Sequence, residues 1–156
     1  METTSDHFPV IEFARKAFRD HHGIYHPAKP YPAEWEATRL PPLKRTLEVI
    51  RHEAGDHPYT ILCGYRDADY NDYLRERGLQ GERNATGVAR DSRHKYGDAA
   101  DGVIYGMGAH VLHSLIIELW DSGKLPELGG VALYERLGFV HVDTHKAADG
   151  HLRRWG

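Results

Sequence analysis

Two short segments, each with a histidine and an aspartate at a fixed spacing, constrain what this chain can fold into. In segment 92–101, His94 precedes Asp101 by seven positions, with a glycine and small residues between them. In segment 139–143, His141 and Asp143 are two positions apart. An extended strand places both of these side chains on one face of a sheet. The fold must therefore bring together two segments that are distant in the chain.

Three of these side chains are the donors that a Zn²⁺ ion requires. A zinc site takes about three protein ligands of the nitrogen or oxygen type, and a catalytic site leaves the fourth position to water. His94, Asp101 and His141 supply three such ligands. We therefore predict a zinc site at these residues. Because the chain has 12 histidines, the alternative for any single one is a solvated surface residue, and the surrounding motifs must decide.

Composition restricts the class of protein. The 156 residues predict one domain, in which residues 1–41 form an N-terminal helix and a proline-rich wrap and residues 42–156 form the metal-binding core. The net charge of −3 argues against nucleic acid as a partner. The single cysteine excludes an internal disulfide and gives no support for a sulfur-rich metal site. No apolar run is long enough to insert into a membrane.

Hydrophobic periodicity and turn residues predict an α+β fold, with helices packed on a small antiparallel sheet. Helices are predicted at residues 8–20, 43–54, 68–77 (with Asp67 as the N-cap) and 109–121. Strands are predicted at residues 59–63, 98–104, 131–134 and 139–144, and the last two form a hairpin. The polar segment 78–91 contains three glycines and is predicted to be a loop that borders the site.

The first segment contains the pattern Ser-x-His-x-x-Gly-x-Ala-x-Asp without a gap. Its defining positions are Ser92, His94, Gly97, Ala99 and Asp101. This pattern resembles the first metal motif of the zinc D-Ala-D-Ala carboxypeptidases and peptidoglycan endopeptidases. That group also includes the D-Ala-D-Ala dipeptidases and the zinc fold of hedgehog signalling domains.

Two further segments resemble the same family, and they occur in the family's order. Gly129-Gly130-Val131, followed by residues 138–144 and the closing Arg153-Arg154-Trp155, resembles a bacterial and phage subgroup whose second motif is His-Val-Asp-Thr. Cys63-Gly64-Tyr65-Arg66 resembles the family's Ser-Gly-Tyr-Arg, with cysteine in place of serine. The resemblance covers residues 40–156. It implies the hedgehog/D-Ala-D-Ala-peptidase fold and the zinc ligands named above.

The resemblance leaves two candidates for the general base. Many relatives carry an acidic residue three positions before the last histidine, where this chain has Gly138. Asp143 is the first candidate because it shares a strand face with His141, although it would equally serve to orient that histidine. Glu135 is the second, since the hedgehog-type arrangement has a glutamate at this distance. In a hairpin turn, Glu135 would instead be a solvated surface charge.

The resemblance also implies roles in substrate binding. Arg66 would stabilise an oxyanion or hold a substrate carboxylate, because a guanidinium offers paired donors, and its alternative role is a structural ion pair. Ser92 and Tyr65 are expected to line the substrate cleft, or else to pack within the domain. Arg153 and Arg154 are candidates for binding peptide carboxylates, or else solvated terminal side chains.

The function implied is that of a zinc metallopeptidase that hydrolyses peptidoglycan stem or cross-link peptides, as a carboxypeptidase or an endopeptidase, by metal-activated water. Two alternatives remain open. One is a non-catalytic zinc-containing binding module, which the missing acidic residue favours, and the other is a structural domain without metal.

The enzyme is expected to be a monomer that acts in the periplasm or cell wall. No signal peptide is visible, so we expect either that the chain is the mature form or that it leaves the cell by a route without a signal, as a phage endolysin through a holin or by a dedicated export route.

Overall fold

The computed structural model describes residues 6–81 and 88–156. Within these residues the α-helices are α1 (Leu40–Glu53), α2 (Ala68–Leu79) and α3 (Ala109–Asp121). The strands are β1 (Phe18–Arg19), β2 (Tyr25–His26), β3 (Tyr59–Cys63), β4 (Ala99–Ile104), β5 (Gly130–Tyr134), β6 (Phe139–Asp143) and β7 (Arg153–Trp155). Short 3-10 helices lie at Val10–Phe13, Ala33–Trp35 and Arg93–Tyr96.

Five of the strands form one sheet in the order β3-β4-β6-β5-β7, and β1 and β2 form a separate ribbon. The first four strands of the large sheet pair antiparallel, which confirms the predicted α+β fold with a small antiparallel sheet. Strand β7 adds to β5 in the parallel direction and was not predicted. Three residues are too few to show the period-two pattern from which a strand is recognised.

Helices α1 and α3 cover one face of this sheet. On β6, Val140 and Val142 are fully buried on that face, and His141 and Asp143 therefore point to the opposite face. Burial of one valine contributes roughly 1.5–3 kcal/mol. A one-residue slip of β6 would exchange the two faces, so these valines hold the register that positions the histidine and the aspartate.

The helix predicted over residues 8–20 is wrong. Only Val10–Phe13 is helical, as a 3-10 helix, and Ala14 is already extended. The backbone of this segment pairs with distant residues, since the Phe13 carbonyl accepts the Tyr65 N–H at 2.8 Å and Arg15 pairs with Lys29 in both directions. Tertiary hydrogen bonds thus replace the local bonds that a helix requires.

Residues of the N-terminal segment nevertheless belong to the hydrophobic core. Phe8 and Phe13 are fully buried, and Tyr31 is nearly so. Arg15 is also buried and pairs with Asp67 at 2.9 Å. Asp67 is the N-cap of α2, as predicted, and accepts a hydrogen bond from the Tyr70 N–H. The N-terminal segment is therefore attached to the element that follows β3.

The predicted loop 78–91 lies partly outside the described residues, because residues 82–87 are not among them. The helix α2 extends through Gly78 to Leu79, which is two residues beyond the predicted end. Across the described parts of the chain, we find no helix that combines the length and the apolar character required to cross a membrane.

Candidate metal centre and cleft

One residue from each strand of the large sheet lies in a single row across it. Cys63 is paired with Asp101, Asp101 with His141, His141 with Ala132, and Ala132 with Trp155. Neighbouring strands lie about 4.8 Å apart, so side chains in one row are in reach of each other. Antiparallel pairing of β4 with β6 therefore brings together the two segments that carry the motifs.

His94 reaches this row from the 3-10 helix Arg93–Tyr96 that precedes β4. Ser92 caps this helix and accepts a hydrogen bond from the His94 N–H. Gly97 ends it with a left-handed φ of 73°, and a Cβ at this position would lie 2.5 Å from the Trp35 ring. Only glycine combines this backbone conformation with the close approach, which explains the glycine of the motif.

Three donor atoms converge at the centre of the row. His94 Nε2 lies 3.1 Å from Asp101 Oδ1, His141 Nδ1 lies 2.9 Å from the same oxygen, and the two nitrogens are 3.3 Å apart. The three residues are buried. Two ligands of a tetrahedral zinc ion with nitrogen and oxygen donors are separated by about 3.3 Å, so these atoms fit three corners of such a site.

Each imidazole is held so that its inner nitrogen, the one that faces the other donors, carries a lone pair. These nitrogens are Nε2 of His94 and Nδ1 of His141. His94 Nδ1 donates to the Gly64 carbonyl at 2.7 Å, and His141 Nε2 donates to Asp143 Oδ2 at 2.8 Å. A carbonyl and an ionised carboxylate only accept, so the proton of each neutral ring lies on its outer nitrogen. The inner nitrogens are then available as metal ligands.

The electrostatic field at these donors favours a cation. Burial lowers the pKa of His94, but the carboxylate of Asp101 outweighs burial and raises that pKa to about 10. Burial raises the pKa of Asp101, and His94 and His141 together hold it well below its ordinary value. Either a proton or a metal ion supplies the positive charge that this field favours, and binding of a metal releases the proton.

Asp143 lies behind His141 and does not line the cleft. Its fully buried carboxylate accepts from His141, from Arg153 Nη2 and from the His145 N–H at 3.0 Å. Burial raises the pKa of Asp143, but the hydrogen bond from His141 and the charge of Arg153 hold it below its ordinary value. A Cβ at Gly130 would lie 2.6 Å from Arg153 and 2.7 Å from Asp143, which explains why a glycine stands between them.

The donors open into a cleft of about 420 Å³, a volume typical of small-ligand sites. Apolar and aromatic side chains from β3, β5, β6, β7, α2 and their connections line it, namely Leu62, Tyr70, Leu74, Val88, Tyr134, Leu137, Phe139 and Trp155. Ser92, which was predicted to line the cleft, does so together with Arg93 and Arg153.

Arg66 lies in the cleft beside the donors and is held by three contacts. Its Nη2 lies 3.7 Å from Asp101 Oδ2, its Nη1 donates to Asn71 Oδ1 at 3.0 Å, and its Nε contacts Cys63 Sγ at 3.4 Å. Asn71 is fully buried and donates to the carbonyls of Ala89 and Arg90. It therefore connects the arginine to the segment that precedes His94.

Sequence reasoning missed Asn71 and the proximity of Cys63. The signal for Asn71 is its position on α2, four residues after the N-cap Asp67, where a polar residue is buried. Burial raises the pKa of the Cys63 thiol, but the charges of His94 and Arg66 outweigh it and lower that pKa to about 7.

Besides Asp143, two predicted site residues do not line the cleft. Tyr65 packs edge-on against Tyr31 and Trp35, with ring centroids 6.3 and 6.0 Å apart. Glu135 is exposed in the turn between β5 and β6 and does not line the cleft. Among the described residues, the carboxylates that do line it are Asp101 and Asp91, and Asp91 was not singled out from the sequence.

Comparison with known proteins agrees with this geometry. Residues 38–155, more than half of the chain, match the sequence profile of the family described as peptidoglycan L,D-endopeptidase MepK. The protein of that name from Escherichia coli K12 is 33% identical over 98 residues, which are 63% of this chain and 43% of the relative. The probable peptidoglycan L,D-endopeptidase MepK of Haemophilus influenzae is 34% identical over 95 residues, which are 61% of this chain and 41% of that protein.

The matched part thus covers less than half the length of these curated relatives. The family match over residues 38–155 includes β3 to β7, and with them every residue of the row and of the donor set. The chain belongs to the family of the peptidoglycan L,D-endopeptidase MepK.

Proposed function

We propose that this protein is a zinc-dependent peptidase that hydrolyses a peptide bond in peptidoglycan. The observation that carries the proposal is the convergence of His94 Nε2, Asp101 Oδ1 and His141 Nδ1, all within 3.3 Å of each other beside an open cleft. The relatives named peptidoglycan L,D-endopeptidases support the substrate class. Two nitrogen donors and one carboxylate oxygen are the ligand types of catalytic zinc sites.

A zinc ion held by His94, Asp101 and His141 would polarise a peptide carbonyl and lower the pKa of bound water. Arg66 points its guanidinium at the same region and is fixed there by Asn71, so it is placed to stabilise negative charge on the carbonyl oxygen. Its rigid, buried setting means that this charge is stabilised without reorganisation of the side chain.

Proton transfer from water requires a basic group that faces the cleft. Asp143 accepts the hydrogen bond that His141 Nε2 donates and is fully buried, so we assign to it the role of positioning His141. Asp91 lines the cleft, where it accepts a hydrogen bond from the Tyr96 hydroxyl. We assign to Asp91 the acceptance of the proton from water and its donation to the leaving amine.

The cleft wall of tyrosine, phenylalanine, leucine and tryptophan suits a peptide that lies across the donors, and we propose an endopeptidase. Arg93 and Arg153 line the same cleft, where they are paired with Asp98 and Asp143. The protein would act as a monomer where peptidoglycan is exposed, in the periplasm or the cell wall.

The test combines zinc content with release of muropeptides from purified peptidoglycan. We expect about one zinc per chain and soluble peptide products, both lost in His94→Ala. The matched control is His110→Ala, an exposed histidine on α3 away from the donors, which should retain both. Products from a chelator-treated sample that contains no zinc would contradict the proposal.

A second candidate function is a metal-containing binding module without hydrolytic activity. It is favoured by the placement of both acidic residues predicted as bases, since neither Asp143 nor Glu135 lines the cleft. Stoichiometric zinc together with binding of peptidoglycan peptides, and no product from any wall preparation, would select this candidate.

A further inference from the structure

Cys63 faces the metal centre because of an irregularity in the pairing of β3 with β4. Ile61 pairs with Gly102, and continued regular pairing would place Cys63 opposite Ala100, which lies in the core. The register shifts between Ile61 and Cys63, and Cys63 is instead opposite Asp101.

The shift has a visible effect on the side chains. Leu62 and Cys63 are adjacent in the chain, yet both line the cleft. Successive residues of a regular strand point to opposite faces, so this arrangement requires the irregularity. Bulges of this kind re-aim side chains and occur next to active sites. The local backbone thus turns the thiol away from the core and toward the donors.

The sulfur lies beside two of the three ligand candidates, His94 and Asp101. Cys63 Sγ, a ring nitrogen of His94 and a carboxylate oxygen of Asp101 all lie within 4.8 Å of one another. On its other side, Arg66 Nε donates to the sulfur at 3.4 Å. A cationic donor beside the sulfur stabilises it as an anion, which is the form that binds metals.

We propose that Cys63 is a fourth ligand of the metal centre and that the centre therefore prefers thiophilic divalent cations. The proposal rests on the function proposed above, because it assumes a metal ion at His94, Asp101 and His141. On coordination the S–H bond of Cys63 breaks, the sulfur donates an electron pair to the metal, and the proton leaves to solvent. No group is oxidised or reduced.

A ligand set of two imidazoles, one carboxylate and one thiolate has a definite chemical consequence. Thiolates favour soft and borderline ions such as Zn²⁺ and Cd²⁺ over the hard ions Mn²⁺ and Mg²⁺, which prefer oxygen ligands. Four protein ligands also complete a tetrahedral site, so water or a substrate carbonyl enters by displacing the sulfur or by a fifth coordination position.

Cobalt substitution tests the proposal directly. Cys63 is the only cysteine of the chain, and a cobalt–thiolate bond has an intense charge-transfer band in the near ultraviolet that nitrogen and oxygen ligands lack. We expect this band when the purified full chain, stripped by a chelator, receives one equivalent of Co²⁺. Cys63→Ser should bind Co²⁺, seen by its visible ligand-field bands, without the near-ultraviolet band.

Leu62→Ala is the matched control, since it alters the neighbouring side chain on the same wall and removes no donor, and it should retain the band. Ligand-field bands without the near-ultraviolet band in the wild type would overturn the proposal and leave the three-ligand site standing. Failure of the wild type to bind Co²⁺ would overturn the metal site itself. The wild-type spectrum decides even if Cys63→Ser does not fold.

Metal selectivity gives a second readout. In Cys63→Ser, the dissociation constant for Cd²⁺ should rise by at least roughly 10-fold. Loss of a contact that only supports a metal ligand already has an effect of this size, and here a ligand itself is lost. The constant for Mn²⁺ should change little, because Mn²⁺ gains little from a thiolate. Equal changes for both ions would overturn the proposed preference.

Discussion

His141 Nε2 lies 2.8 Å from Asp143 Oδ2, and this contact decides which nitrogen of the histidine faces Asp101. The same carboxylate is held from behind by Arg153 and by the His145 N–H. A strand that places two residues on one face thus provides both a metal ligand and the group that orients it. The orienting carboxylate is fully buried, so its own contacts are protected from water.

Asp143→Asn should weaken zinc binding by roughly 10- to 100-fold, because an amide accepts a weaker hydrogen bond from His141 and no longer neutralises Arg153. The measurement is competition with a chromophoric chelator at constant pH. Asp56→Asn is the control, since that carboxylate is exposed and lies far from β6. Unchanged zinc affinity with lost hydrolysis would instead make Asp143 the general base.

Asn71→Ala should lower kcat by roughly 100- to 1,000-fold with a smaller effect on KM, because Arg66 loses the contact that aims it at the developing charge. The Arg66 Nη1 group, which is buried, also loses its acceptor, which costs about 1–3 kcal/mol of stability. Steady-state kinetics and urea unfolding separate the two effects. A change in KM alone would contradict the positioning of Arg66.

Asp91→Asn should abolish most hydrolysis while the chain retains its zinc, because the amide cannot accept the proton from water. Zinc content and product release are measured on the same sample, with Glu135→Gln as the control in the exposed hairpin turn. If Glu135→Gln loses activity and Asp91→Asn keeps it, the proton acceptor has been assigned to the wrong carboxylate.

Gly130→Ala should destabilise the protein by about 1–3 kcal/mol and weaken zinc binding, since the added methyl group would lie 2.6 Å from Arg153 and force it away from Asp143. Gly108→Ala is the matched control, because there the methyl group meets only the His110 side chain, at 3.2 Å. Thermal unfolding with and without zinc measures both effects. Equal stability of the two variants would show that the sheet accommodates the methyl group.

Phe13→Ala should cost about 3–5 kcal/mol, because this ring is fully buried and its truncation leaves a cavity. Its backbone also lies against Gly64, where a Cβ would be 2.7 Å from the Phe13 Cα. The control is Ile11→Ala, which removes an exposed side chain of the same 3-10 helix and should change stability by less than about 0.5 kcal/mol. Equal urea midpoints would contradict the role of this segment in the core.

The prediction of the fold succeeded where the signal was periodic. The helix at residues 109–121 and the strand at 59–63 have the predicted bounds, because each carries a complete hydrophobic pattern of its own period. The helix predicted at residues 8–20 failed, although its apolar residues are spaced in a similar way. Phe13 and Arg15 use their backbone groups to bind Tyr65 and Lys29, and no local pattern records those partners.

Sequence alone determined the residue types at the site and their strand faces. The spacing of His141 and Asp143 places them on one face of any strand, because the side-chain period of a strand is two. The pattern from Ser92 to Asp101 contains the cap, the ligand and the glycine that its local backbone requires.

Only the tertiary structure decided how these groups act. It places Asp143 behind His141 instead of in the cleft, brings Asn71 to Arg66, and turns Cys63 toward the donors through a shift in register. Each of these relationships joins segments that are far apart in the chain or depends on pairing between strands. Periodicity reports what one segment buries, whereas register and hydrogen-bond partners are set by the packing of all the segments together.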